Sequence, residues 1–133
     1  MKPTLIDTSV CRELLADRPC RHESRILTRA DDLYISSLTA LALYDAASSL
    51  PETEQKSAFA QLDAFIGRFA WVEGDYPTIR KAGQFSASIP KDVPYPMRVN
   101  MLLAKARGLT FAVSSQNTFA DRLHVPGFDI EIW

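Results

Sequence analysis

Leu5-Ile6-Asp7-Thr8-Ser9-Val10-Cys11-Arg12-Glu13-Leu14-Leu15 is the stretch whose reading decides the fold of this chain. An apolar run ends on a carboxylate, two hydroxyl side chains follow, and helical spacing then takes over. The pattern predicts a short buried strand that delivers Asp7 to its C-terminal end, with Thr8 or Ser9 capping the next helix. Ligands of open α/β sheets bind outside the carboxyl ends of the strands, so Asp7 would stand where chemistry is usually done. Asp is also among the best N-cap residues, and the same position reads equally as a cap and nothing more.

Working outward, Leu33-Tyr34-Ile35-Ser36 reads as a second strand, running into a helix over 37–50 that Pro51 closes. Crowding of Leu38, Leu41, Ala42 and Tyr44 predicts that much of this helix is buried. Ala58, Phe59, Leu62, Phe65, Ile66 and Phe69 keep the three-and-four spacing of a helix face. That stripe is either core or a partner surface. Residues 70–73 form a short strand, and Asp75 caps a helix that has Pro77 in its first turn and runs to about Ala87. Three prolines within 90–96 predict a loop, followed by a helix over 97–107 that stops at Gly108. Residues 109–113 form a buried strand and 128–133 a last, alternating one, with a short helix over 119–123 between them. A further short helix over 22–30 completes the list of expected elements. Strands alternating with helices predict an α/β three-layer sandwich with a mostly parallel central sheet, in a single domain spanning 1–133.

Composition narrows the function. The chain has 133 residues, 47% of them apolar and 23% charged, the balance of a globular domain. A formal net charge of −1 gives no global basic field, so any RNA contact has to be a local patch. Arg98, Lys105 and Arg107 on one helix are the candidates for it. Cys11 and Cys20 fit neither a zinc pattern nor a disulfide framework, and they read as reduced thiols of a cytoplasmic protein, with Cys11 packed against the sheet. His22 and His124 read as isolated surface residues. No run approaches transmembrane length, so no membrane partner is expected.

The order of these elements resembles a PIN domain of the VapC toxin type. The resemblance is carried by Leu5-Ile6-Asp7-Thr8-Ser9, by Ile35-Ser36-Ser37-Leu38-Thr39, by Gly108-Leu109-Thr110-Phe111-Ala112-Val113 and by the apolar final strand ending at Trp133. It implies a Mg²⁺- or Mn²⁺-dependent endoribonuclease in which several carboxylates meet at the C-terminal edge of the sheet. It implies catalytic candidates at Asp7, Thr8, Ser9, Gln116 and Asn117. It also implies a homodimer and an antitoxin-like protein partner, with Leu43, Tyr44, Phe59, Leu62, Phe65 and Ile66 as candidates for the groove that holds the partner.

The chain departs from that pattern. The acid expected three residues past Thr39 is Ala42, and the acid expected eleven residues before Gly108 is Met97. The turn after residues 109–113 offers Gln116 and Asn117 in place of a carboxylate. Of the expected acids Asp7 remains, with Asp45 and Asp92 as nearby metal-ligand candidates, Asn100 as a possible amide-oxygen donor, and Asp121 further along. The expectation is therefore a VapC-like protein with weak or absent ribonuclease activity and a binding role. No cofactor is expected, and Mg²⁺ or Mn²⁺ is the ion if the site still works. An active endoribonuclease toxin with a rearranged acidic site is the alternative.

Overall fold

The computed structural model describes residues 2–16, 26, 28–117, 119–120 and 123–133. Cys20, His22, Asp121, most of the expected helix over 22–30 and part of that over 119–123 lie outside the described residues. The described chain runs β1 Thr4–Ile6, α1 Thr8–Leu15, β2 Leu33–Ser36, α2 Ser37–Ser48, α3 Glu52–Ile66, β3 Ala70–Val72, α4 Tyr76–Gly83, α5 Tyr95–Ala106, β4 Thr110–Val113 and β5 Ile130–Ile132.

The five strands form one parallel sheet in the order β3-β2-β1-β4-β5, with the opening strand in the middle. A central parallel strand is buried on both faces and is apolar along its length, which is why Leu5-Ile6 could be read as a strand at all. Period-two alternation then assigns neighbours to opposite layers. Leu5, Phe111 and Val113 pack with α4, α5 and the 89–93 loop. Ile6, Leu33, Ile35 and Ala112 pack with α1, α2 and α3. Helices thus cover both faces of the sheet, as the three-layer expectation requires.

Local chemistry sets the boundaries. Asp7, Ser36 and Asp75 each cap a helix by accepting a backbone N–H, from Ser9 at 3.1 Å, Thr39 at 3.0 Å and Thr78 at 2.9 Å. Gly108 adopts φ +69°, while Leu109 N–H reaches Ala104 O at 2.8 Å and Gly108 N–H reaches Lys105 O at 3.2 Å. These paired bonds close the end of α5 in a way that glycine accommodates without strain. Helix α5 begins at Tyr95, two residues before the expected Met97, because Pro96 falls in the first turn, where no backbone N–H is needed. Helix α4 ends at Gly83, earlier than the expected Ala87, and the chain tightens into a 3₁₀ turn at Ser86–Ser88.

One expectation for α2 is corrected. Leu38 and Leu41 are exposed, and the helix buries Thr39, Ala40, Leu43 and Ala47 instead. Crowded apolar residues do not reveal which arc of a helix meets the sheet. Cys11 is buried among Ile6, Val10 and Leu33, as expected, and burial, followed by the nearby Asp7 charge, pushes its thiol pKa far up. His124 is exposed, also as expected. Among the described residues no helix is long and apolar enough to cross a membrane.

Two polar clasps hold the sheet from its other end. Arg29 donates to Glu131 Oε1 at 2.9 Å and Thr4 Oγ1 at 2.7 Å, with its guanidinium 5.7 Å from the Trp133 ring centroid. Asp129 accepts from Lys2 Nζ at 3.0 Å and Thr110 Oγ1 at 2.9 Å, and these bonds hold its carboxyl below the usual aspartate range. A carboxylate with a lowered folded pKa stabilises the fold above the ordinary value of 3.8, and the contribution fades as pH falls through the lower folded value. Asp129→Asn is therefore expected to flatten the acid limb of a stability–pH profile below about pH 4. Because Lys2 and Asp129 are both exposed, the change at neutral pH is expected to stay under about 1 kcal/mol. Urea unfolding at stepped pH measures both, and an unaltered acid limb would count against the clasp.

Candidate functional site

The C-terminal ends of β1, β2 and β4 meet at one edge of the sheet. Asp7 sits there, its backbone N–H continuing the ladder to Ala112 O at 2.8 Å. The side chain is 3% exposed. Oδ2 accepts from Ser9 N–H at 3.1 Å and Ser9 Oγ–H at 2.7 Å, so Asp7 caps α1, and the cap expected of Thr8 or Ser9 is corrected: both lie inside the helix. Oδ1 faces the other way, toward α5, and accepts from Asn100 Nδ2 at 3.3 Å.

Asn100, 2% exposed, is the centre of the site. Its amide nitrogen also donates to Thr39 Oγ1 at 3.0 Å, and its oxygen accepts from Ser36 Oγ at 2.6 Å. Thr39 and Thr8 share a hydroxyl–hydroxyl bond of 2.9 Å. Asp7 when ionised is acceptor-only, and Ser36 offers a hydroxyl proton. An amide satisfies both neighbours at once, nitrogen toward Asp7 and oxygen toward Ser36. The orientation of Asn100 follows from that network. Buried polar groups without partners cost about 1–3 kcal/mol each, so a closed network of this kind fixes its members in place.

Two clefts open beside the network. One, of about 420 Å³, is lined by Asp7, Thr8, Ser9, Arg12, Pro96, Met97, Asn117 and Phe119 among others. The second, of about 410 Å³, lies between α2 and α5 and is lined by Leu38, Leu41, Asp45, Tyr95 and Val99 among others. Thr8, Ala42 and Pro96 border both.

The structure brings several predicted residues together here. Asp7, Thr8, Ser9 and Asn117 share the first cleft with Ala42 and Met97, the positions where acids were expected. Asn117 spends its side-chain oxygen on Phe119 N–H at 2.9 Å. Gln116 is exposed in the turn and lines neither cleft. Asp45 borders only the second cleft, and Asp92 is exposed in the loop before α5, away from both. Among the described residues no three His, Cys, Asp or Glu side chains gather closely enough to hold a metal ion.

Other predicted residues are used elsewhere. Leu43, Leu62, Phe65 and Ile66, expected in a partner groove, are buried in the core between α2, α3 and the sheet. Tyr44 and Phe59 remain near the surface as an edge-to-face pair 5.6 Å apart, with Phe59 36% exposed. Tyr44 donates to Asp63 Oδ1 at 2.6 Å, which raises the tyrosine pKa. Arg98, a candidate for RNA, donates instead to the carbonyls of Ser86, Ile89 and Pro90 and pins that loop. Lys105 donates to Gly127 O and lies 5.3 Å from the Phe85 ring centroid. Arg107 is exposed on the last turn.

Several residues at this edge were not singled out as site residues from sequence. In the sequence Ser36 and Thr39 carry only the signal of a strand running into a helix. Asn100 was expected to offer an amide oxygen, and it offers its nitrogen. The signal available was a helix-averse Asn among Val99, Met101, Leu102 and Leu103. Glu13, which accepts from Ser114 Oγ, and Arg12 at the rim gave no sequence signal.

No family model matches the sequence, and no curated protein matches it. Solved structures do match the fold. A chain of DNA-bound VapBC from Salmonella typhimurium superposes with TM-score 0.84 at 23% identity, covering 100% of this chain and 99% of that one. VapBC2 from Rickettsia felis, bound to a DNA fragment from its promoter, gives TM-score 0.80 at 16% identity over 98% of each chain. FitAcB from Neisseria gonorrhoeae gives 0.65 at 22% identity over 83% of this chain and 86% of that one. With its opening strand at the centre of a five-stranded parallel sheet and helices on both faces, the chain has the fold of the VapC-type PIN domains.

Proposed function

We propose that residues 1–133 act as one PIN-like unit whose role is to bind, with ribonuclease activity weak or absent. The observation that carries this reading is what surrounds Asp7. Mg²⁺ and Mn²⁺ are hard ions that need several oxygen ligands. Here both carboxylate oxygens accept hydrogen bonds from N–H or O–H donors. The positions next to them are apolar, Ala42 and Met97. The oxygen of Asn100 is turned away toward Ser36. The residues present therefore do not fit a divalent cation.

A protein partner is supported by the matched structures, which are complexes named VapBC and FitAcB. With most of the Phe-rich stripe in the core, an antitoxin-like segment would find exposed apolar surface at the second cleft, where Leu38, Leu41 and Tyr95 are exposed. A homodimer and a cytoplasmic setting belong to the same reading, and a buried free thiol such as Cys11 suits a reducing compartment.

The test is cleavage of a structured RNA in Mn²⁺, with Asp7→Asn alongside. The expected result is background cleavage by both proteins. Robust Mn²⁺-dependent cleavage that disappears in Asp7→Asn would overturn the reading in favour of a rearranged endoribonuclease site, with Asp45 the next carboxylate to examine.

A further inference from the structure

We propose that Asn100 is the residue that shuts this site to divalent cations. Its amide nitrogen occupies the place beside Asp7 that a cation would need, and it gives the carboxylate a hydrogen bond there in place of a metal–oxygen bond. The proposal deepens the reading of a metal-poor site and rests on it.

The geometry is specific. Asn100 Nδ2 lies 3.3 Å from Asp7 Oδ1 and 3.0 Å from Thr39 Oγ1, so both amide hydrogens are spent on oxygens that face the site. A cation bound to Oδ1 at about 2.1 Å would meet those hydrogens rather than a lone pair. The amide cannot turn over to help. Its oxygen is held by Ser36 at 2.6 Å, and reversal would set that oxygen against Asp7 Oδ1, acceptor against acceptor. Nor can the side chain swing out cheaply, because Asn100 and Asp7 are both buried and Asp7 Oδ1 would lose its amide donor.

The closure depends on one functional group. Exchanging the NH₂ of Asn100 for an oxygen, in Asn100→Asp, turns the donor into a second carboxylate beside Asp7, with the Thr8 and Thr39 hydroxyls adjacent. Two buried like charges at that spacing repel, and a cation relieves the repulsion. Met97 and Ala42 need not change for this to happen.

Calorimetric titration of the whole chain with MnCl₂ tests the idea without any activity assay. Wild type is expected to show no sub-millimolar binding. Asn100→Asp is expected to bind at least about tenfold more tightly, a factor typical of gaining or losing one interaction at a metal site. The gain should vanish in the Asn100→Asp, Asp7→Asn double variant. Asn100→Ala removes the donor without adding charge, so it decides the matter if Asn100→Asp does not fold, and it should also gain affinity, by a smaller factor. If Asn100→Asp, or failing its folding Asn100→Ala, binds Mn²⁺ no better than wild type, the role of Asn100 is refuted while the metal-poor reading stands. Sub-millimolar binding by wild type that is lost in Asp7→Asn refutes both.

Discussion

Phe111→Ala is expected to lower the unfolding free energy by about 3–5 kcal/mol, the cost of truncating a buried phenylalanine and leaving its cavity. Phe111 is 1% exposed and sits in the middle of β4, in register with Leu5 on β1 and Ile130 on β5. Its ring belongs to the layer formed by Met101, Leu103 and Ala104 of α5. The sheet around it is hydrogen-bonded on both sides, so the backbone has little freedom to collapse into the space. For a chain of this length the loss corresponds to a fall in melting temperature on the order of 10 °C or more. Urea unfolding with an unchanged m-value measures it. A loss under about 1 kcal/mol would mean that β4 does not lie between two packed layers.

Asn100→Leu is expected to cost about 3 kcal/mol although it places an apolar residue in an interior position. The substitution strips Asp7 Oδ1 of its amide donor and Ser36 and Thr39 of one partner each, leaving these two hydroxyls bonded to each other, while keeping a branched side chain of similar outline. Each buried polar atom left behind carries its desolvation cost, and the carboxylate carries the most. The first cleft runs up to Asp7, and water entering there would soften the penalty. Pairing the variant with Asp7→Leu in a double-mutant cycle separates the two contributions. If the network acts as a unit, the second substitution costs much less in the Asn100→Leu background than in wild type. Equal costs in both backgrounds would mean that Asp7 and Asn100 are not coupled.

Much of the fold was legible because its determinants are local. Leu33–Ser36 was read to the residue, since β-branched and aromatic residues end there on a serine whose side chain caps the next helix. Gly108 marked the end of α5 because the positive φ there is a property of the residue itself. The start of α5 was placed two residues late because the prolines at 94 and 96 read as loop, although proline in a first helical turn gives up nothing. The apolar stripe of α3 was legible as a stripe but not as core. Leu62, Phe65 and Ile66 look the same whether a sheet of the same chain or another protein covers them, and only the packing of α2 and β2 against them settled which. Arg98 and Lys105 could be read as an open basic face because nothing in their spacing reveals that carbonyls of Ser86, Ile89, Pro90 and Gly127 lie within reach.

The sequence by itself determined the alternation of strand and helix, the placement of Asp7 at a strand end and the absence of acids at 42 and 97, because period, capping and side-chain identity are properties of neighbouring residues. Only the tertiary structure decided what Asp7 faces. Asn100 is 93 positions away in the chain, and it reaches the carboxylate because the parallel sheet sets β1 between β2 and β4, under α5. Which end of its amide points at Asp7 depends in turn on Ser36, from a third element. A hydrogen-bond network joining the ends of β1 and β2 to the middle of α5 is a property of their convergence, and no window of sequence contains it.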